Sequence, residues 1–272
     1  MEPGRKKEVE LYLDLLKRCV SNTIYDDDLD LLRGTFAQDP VTGKLSSSAG
    51  APTDLKRKHD GAIWPSRAHT MIGLHRLDNL RHCVETVIRE QVPGDLIETG
   101  VWRGGAAIFM RGILKAYDVS DRRVWVADSF EGLPPVDEAV HAADAALALD
   151  RFTDLAVSLE VVRANFARYG LMDDQVVFLK GWFRDTLPDA PIGRLAVMRL
   201  DGDLFESTMD ALKNLYPKLS PGGFVILDDY NVVPGCNEAT DQYRRAMGIA
   251  EPLMLIQGCG AFWRKANPGT AV

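Results

Sequence analysis

Cysteine is scarce in this chain of 272 residues: Cys19, Cys83, Cys236 and Cys259 are the four, and no two form a CxxC pair. That excludes a disulfide-built scaffold and a thiolate zinc site, and it fits a reducing cytoplasm. Long apolar runs are missing too. No stretch reaches the roughly 18 uninterrupted apolar residues of a membrane span. The charged start MEPGRKKEVE has no apolar core behind it, as a signal peptide would. Positive charge is in deficit, with 32 basic against 39 acidic residues and a net charge of −7, which argues against nucleic acid as a partner. Internal repeats are absent, which excludes a solenoid array. What is there is an ordinary globular composition, 46% hydrophobic and 26% charged, long enough for one generous α/β domain.

Val9, Leu13, Leu16 and Val20 recur at near-helical spacing and predict an amphipathic helix over 5–20. From about Asp26 to Asp60 the chain turns polar, with Asp39-Pro40, Thr42-Gly43 and the run Ser46-Ser47-Ser48-Ala49-Gly50-Ala51-Pro52. This is turn chemistry. It reads either as a surface loop or as a lid over a ligand, since long loops in compact domains are often functional. Helix periodicity returns over 66–90, where Met71, Leu74, Leu77, Leu80, Val84, Val87 and Ile88 form one apolar side. From residue 95 strand and helix alternate. Strands are expected at 96–99, 124–128, 176–179, 195–201 and 224–228, with helices at about 104–117, 153–169, 206–218 and 236–248. Short apolar strands joined by helical crossovers make a parallel sheet. Two further strands, 253–257 and 260–264, read as a closing hairpin around Gly258-Cys259-Gly260. The expected fold is therefore α/β: a Rossmann-like, mostly parallel seven-stranded sheet with a C-terminal antiparallel hairpin. Residues 1–92 supply N-terminal helices and the lid segment, and 93–272 the core, in one compact unit.

Three segments carry chemistry. In Glu98-Thr99-Gly100-Val101-Trp102-Arg103-Gly104-Gly105 a buried strand runs into glycines and then a helix. Gly100 permits a tight turn and close approach of backbone to a ligand. A dinucleotide fingerprint needs glycine at 102, where tryptophan stands, so the loop suits a cofactor without a pyrophosphate. Glu98 is placed for a cationic cofactor's ammonium. A plain turn of a parallel sheet is the alternative. The second segment ends a strand at Asp128-Ser129, at the distance where an acid accepts ribose hydroxyls, although a turn or helix cap explains it as well. The third is Asp201-Gly202-Asp203 at one strand end with Asp228-Asp229 at the next. Ligands bind beyond the carboxyl ends of parallel strands, so these aspartates gather at one edge. Clustered carboxylates repel unless protonated or occupied by a cation, and oxygen-only donors favour Mg²⁺, Mn²⁺ or Ca²⁺ over zinc. Asp228 and Asp229 share an ion only if the strand ends there, which Tyr230-Asn231-Val232-Val233-Pro234-Gly235 provides. Asp203 is as well explained as a cap of the helix near Glu206. His69, His75 and His82 are read as surface or structural histidines on the 66–90 helix.

In this order, and with Trp64-Pro65, Thr70-Met71-Ile72-Gly73, Asp128 to Pro134 and Ser220-Pro221-Gly222-Gly223, the segments resemble the bacterial metal-dependent sugar O-methyltransferases of antibiotic biosynthesis. These include the macrocin, mycinamicin and novobiocin-noviose enzymes, and the likeness spans roughly residues 8–265. It implies transfer of a methyl group from S-adenosylmethionine to a sugar hydroxyl of a small-molecule glycoside. By that resemblance Thr70, Met71, Glu98, Thr99, Gly100, Val101, Trp102, Gly104, Asp128, Ser129, Gly181 and Trp182 line the cofactor. Asp201, Asp228 and Asp229 hold Mg²⁺ (or Mn²⁺), and Asp201 doubles as general base, with His75 or His82 next in line. A divalent cation lowers a hydroxyl's pKa enough for a carboxylate to take the proton. A homo-oligomer is expected, with the N-terminal helix available for the subunit contact. Competing readings are a catechol- or caffeoyl-type O-methyltransferase, a glycosyltransferase using Asp201-Gly202-Asp203 as a DxD site, and a degenerate methyltransferase fold serving as an assembly subunit.

Tryptophan at 102 and Glu98 before Gly100 predict S-adenosylmethionine rather than NAD. Calorimetry is expected to show binding of the methyl donor or its demethylated product. Tight NAD binding with no response to either contradicts this reading.

Overall fold

Strands buried on both faces need partners on both sides, and the chain supplies them in a single seven-stranded sheet. The computed structural model describes residues 3–136 and 142–266. The sheet is built from β3 (Asp95–Thr99), β4 (Val124–Asp128), β5 (Val176–Lys180), β6 (Leu195–Leu200), β7 (Leu219–Leu227), β8 (Met254–Leu255) and β9 (Ala261–Arg264). Its order is β5-β4-β3-β6-β7-β9-β8. Strands β5 to β7 in that order are parallel, whereas β9 runs antiparallel to both β7 and β8. The order reverses between β3 and β6. Their carboxyl ends therefore open a crevice at the switch point where ligands bind in such sheets.

Helices cover both faces. Successive strand residues point to opposite sides, so Leu96, Val124, Val126 and Val197 pack on one face. There they meet Leu13, Leu16 and Val20 of α1 (Pro3–Val20), Leu77, Leu80, Val84 and Val87 of α3 (Gly73–Arg89), Ile108 and Ile113 of α4 (Gly105–Ala116), and Phe166 of α6 (Leu159–Arg168). Ile97, Trp125 and Met198 point the other way, toward Met209, Leu212 and Leu215 of α8 (Phe205–Leu215) and Tyr243 of α9 (Pro234–Met247). Each such aliphatic side chain stabilises the fold by about 1.5–3 kcal/mol when fully buried. Among the described residues no helix is long and apolar enough to cross a membrane.

The structure corrects the N-terminal expectations. Residues expected to be an irregular loop form β1 (Leu29–Gln38) and β2 (Leu45–Pro52), an antiparallel hairpin in a sheet of its own, followed by the short α2 (Leu55–His59). The helix expected from residue 66 begins only at Gly73. Before it, 66–72 runs as an irregular arc, because its backbone donors find fixed partners outside a helix. Asp28 Oδ1 accepts from Arg67 N at 2.6 Å and Ala68 N at 3.1 Å, and Val20 O accepts from His69 N at 2.9 Å. Thr70 and Met71 thus lie on that arc and not on a helix. The helix expected from 153 begins at Leu159, capped by Ser158, after two short 3-10 turns at Leu149–Arg151 and Thr153–Leu155.

Those turns hold the hairpin. Ser47 donates through N and Oγ to Asp154 Oδ2 at 3.0 and 2.9 Å, and Thr153 Oγ1 donates to Leu45 O at 3.0 Å. The Phe152 ring meets Phe36 and Trp64 edge-on, with centroids 5.3 and 5.2 Å apart. Phe152→Ala is therefore expected to lower the hairpin's local stability by about 2 kcal/mol. Hydrogen exchange should speed up over residues 29–52 while β3 and β4 keep wild-type protection; uniform acceleration would mean a global effect instead.

Candidate active site

Two glycines decide how the crevice is shaped. At Gly100, φ is +81° and an added Cβ would lie 1.7 Å from Asp201 O. Only glycine lets the end of β3 close against the residue that follows β6. At Gly105 a Cβ would lie 2.5 Å from His69 O, which accepts from Gly105 N at 2.8 Å. That contact brings the Thr70–Met71 arc against the loop after β3. The resulting cavity has a volume of about 600 Å³ and gathers residues from all three sequence motifs.

At one end it is lined by Thr70, Met71, Glu98, Gly100, Val101, Trp102, Asp128, Ser129 and Trp182. Thr99, Gly104 and Gly181, expected beside them, do not line the cavity. They support the segments that do: Thr99 O accepts from Asp201 N at 2.8 Å, Gly104 starts α4 in a left-handed conformation, and Gly181 N donates to Asp128 O at 2.9 Å. Asp128 closes the loop upon itself, accepting from Val101 N and Phe130 N, each at 2.7 Å. Trp102 takes φ of +47°, carries the Arg103 guanidinium 4.0 Å from its ring centroid, and donates Nε1 to Asp154 O at 2.9 Å.

Glu98 is buried, with Oε1 accepting from Arg199 Nη1 at 2.5 Å and Oε2 left without a hydrogen-bond partner among the described residues. Burial pushes its carboxyl up to about 8, with Arg199 pulling the other way. A buried, unpartnered acidic oxygen on a residue that lines the cavity fits a cationic group such as the ammonium of S-adenosylmethionine.

At the adjoining end, Asp201 follows β6, and Asp228 and Asp229 follow β7. One oxygen from each lies within 4.8 Å of the others. The strand does end at Leu227, and Asp229 O accepts from Val232 N and Val233 N at 3.0 and 2.9 Å, which turns the chain and lets both aspartates face inward. Arg199 lies beneath them, 1% exposed, donating to Asp201 Oδ2 at 2.8 Å and closely to Asp228 Oδ1. Arg76 of α3 pairs with Asp228 Oδ2 while donating to Ile72 O at 2.7 Å and Gly61 O at 2.9 Å. Neither arginine stood out in the sequence reading. Arg199 has a visible signal, a lone cation inside the otherwise apolar Leu195-Ala196-Val197-Met198-Arg199-Leu200; Arg76 has none.

Asp203 is not the helix cap expected. The N-cap of α8 is Leu204, without a side-chain cap, and Asp203 instead lines the cavity, with its backbone N donating to Asp229 Oδ2 at 3.0 Å. Burial and neighbouring carboxylates raise Asp201 to about 6, Asp203 to about 8, and Asp229 as well. Glu98, Asp201, Asp203, Asp228 and Asp229 thus outnumber Arg76 and Arg199. Protons or a divalent cation relieve such an excess, and three hard oxygen donors this close together fit Mg²⁺ or Mn²⁺. His59, His69, His75 and His82 do not line the cavity. His69 lies on the arc, hydrogen-bonded to Tyr169, and His75 sits 3.4 Å from Asp60.

A parallel sheet with an antiparallel β9, a glycine loop without a pyrophosphate cradle, and an acid ending β4 define a class I methyltransferase that uses S-adenosylmethionine. The chain belongs to the macrocin-O-methyltransferase (TylF) family, whose profile matches residues 9–265. It is 57% identical over 256 residues to the 8-demethyl-8-(2,3-dimethoxy-alpha-L-rhamnosyl)-tetracenomycin-C 4'-O-methyltransferase of Streptomyces olivaceus, spanning 94% of this chain and 92% of that one. It is 52% identical over 261 residues to the mycinamicin III 3''-O-methyltransferase of Micromonospora griseorubida, spanning 95% and 97%. The solved structure of the O-methyltransferase NovP superposes with a TM-score of 0.84 at 51% identity, covering 95% of this chain and 100% of that one. The family expected from the motifs is the family to which the chain belongs.

Removing Asp228 takes from the buried Arg76 its ion-pair partner, while Arg199 keeps Glu98 and Asp201. Asp228→Ala is expected to destabilise the protein by about 3–5 kcal/mol. Denaturant unfolding without added metal measures this; a loss below about 1 kcal/mol would show that Arg76 does not depend on Asp228.

Proposed function

We propose that the protein methylates a sugar hydroxyl of a glycosylated natural product with the help of a divalent cation, Mg²⁺ or Mn²⁺, held by Asp201, Asp228 and Asp229. The observation that carries this reading is the carboxylate trio opening into the same cavity as Glu98 and Asp128. S-adenosylmethionine supplies a methyl already activated on a sulfonium, and the cation supplies positive charge that favours a deprotonated hydroxyl.

The chain's own residues do the rest. Thr70, Met71, Glu98, Gly100, Val101, Trp102, Asp128, Ser129 and Trp182 hold and orient the cofactor, with Thr99, Gly104 and Gly181 supporting them from behind. Asp201, whose side chain is 24% exposed and turned to the cavity, accepts the hydroxyl proton. Arg199 fixes its other oxygen, so the accepting atom is aimed. Apolar side chains, Leu32 and Trp64 on one side and Leu147, Leu149 and Leu155 on another, exclude water and suit an aglycone.

The cations lining the described cavity are Arg76, engaged by Asp228, and Arg184, 3.7 Å from Asp185. A nucleotide-sugar diphosphate would meet carboxylates there and little positive charge, which favours a neutral glycoside. The names of the relatives, which act on a rhamnosyl-tetracenomycin and on mycinamicin III, support the same choice.

Single-turnover rates over a Mg²⁺ titration test the roles. Asp201→Asn removes the proton acceptor, and its methyl-transfer rate should fall by about 10²–10⁴-fold without recovery in excess metal. Asp229→Asn should recover in part, and EDTA should silence the wild type. Full rescue of Asp201→Asn by metal would leave it a ligand only, and undiminished activity in EDTA would remove the metal from the mechanism.

A further inference from the structure

The acceptor-facing wall of the cavity has an attachment that the reaction itself does not use. Leu147 ends α5 (Ala142–Leu147), and Leu149 and Leu155 follow in the two 3-10 turns. The far end of this segment is tied to the hairpin through Asp154 and Thr153. Its near end is held by Asp144, a carboxylate 2% exposed. Asp144 Oδ2 accepts from Phe205 N, the first amide of α8, at 2.6 Å. Its Oδ1 is buried with no hydrogen-bond partner among the described residues and lies against Gly235, where an added Cβ would come within 1.9 Å.

Gly235 is in the first turn of α9. Neither α8 nor α9 has a side-chain cap of its own. Helix N-termini present unpaired amides and partial positive charge, so an acid at both ends is stabilised without a basic partner. The two helices are also those that follow the Asp201–Asp203 and Asp228–Asp229 loops. One side chain from α5 therefore joins the apolar wall to the starts of both.

We propose that Asp144 is a positioning residue that pins the Leu147–Leu155 wall onto α8 and α9 and thereby sets affinity for the acceptor. It touches neither cofactor nor reacting atoms. The pin itself rests on geometry alone, and the step from pin to acceptor affinity rests on the proposed function.

Two readouts separate these. Hydrogen exchange over residues 142–155 needs no substrate. Asp144→Ala removes the acceptor of the Phe205 bond, and Gly235→Ala displaces the carboxylate from the other side. Both are expected to speed exchange there about tenfold, the scale of a lost helix cap, with β3 and β4 unchanged. Asp144→Asn keeps an oxygen for Phe205 N and should stay within about threefold of wild type. Combining Asp144→Ala with Gly235→Ala should add nothing to Gly235→Ala alone, because both break one contact.

For the acceptor, a panel of deoxysugar glycosides is assayed, and the one the wild type methylates serves as the probe. Its KM should rise about tenfold in Asp144→Ala and Gly235→Ala, with kcat and S-adenosylhomocysteine affinity nearly unchanged. Should Asp144→Ala fail to fold, Gly235→Ala carries both measurements. Wild-type exchange in a folded Gly235→Ala variant overturns the pin. Faster exchange with an unchanged KM, or KM and cofactor affinity lost together, overturns its role in acceptor affinity. A wild type inactive on every glycoside would count against the proposed function while leaving the exchange result standing.

Discussion

The site depends on a guanidinium buried in the sheet. Arg199 lies on the central strand β6 and reaches Glu98 on β3, Asp201 at its own strand end and Asp228 beyond β7. Three carboxylates brought this close in a confined space would repel one another strongly. A planar cation with several fixed donors can serve them all at once, which an ammonium cannot do with the same geometry. The cofactor end and the carboxylate trio are thereby parts of one charged network, and a shift at either end would disturb the other.

Arg76 extends this network outward. Its Nη1 meets the second oxygen of Asp228, while its other donors hold backbone carbonyls of Gly61 and Ile72. Gly61 leads into the Trp64 side of the cavity, and Ile72 closes the Thr70–Met71 arc. A single side chain from α3 thus fixes the N-terminal segment relative to the strand ends. Charge and shape are set by the same contacts, and breaking a buried pair of this kind leaves an uncompensated ion behind.

Much of this was legible in the sequence, for reasons that can be named. Strands β3 to β6 are short apolar runs whose pattern needs no distant partner to be read, and the aspartates stand where such strands stop. The glycine loop, Asp128 and the Asp201–Asp228–Asp229 trio come together as their positions imply. Misread elements depended on contacts far along the chain. Nothing in Ser46-Ser47-Ser48-Ala49-Gly50 favours a strand; the hairpin gains its order from Phe152 and Asp154, over 100 residues away. The arc at 66–72 has helical periodicity in its apolar residues, yet Asp28 and Val20 claim its amides. Asp203 reads as a cap because a helix is expected to begin near Glu206, just after it. Its left-handed backbone, φ +57°, turns it into the cavity instead.

The hairpin forms a sheet separate from the seven-stranded one. Neither of its strands pairs with a strand of the main sheet, so lengthening its turn or exchanging its side chains shifts none of those seven out of register. Heritable variation there reaches the crevice through named contacts: Leu32 lines it, and Ser47 holds Asp154, whose carbonyl takes the Trp102 indole. Chimeras with grafted hairpins would thus rebuild one edge of the cavity while the seven strands keep their places.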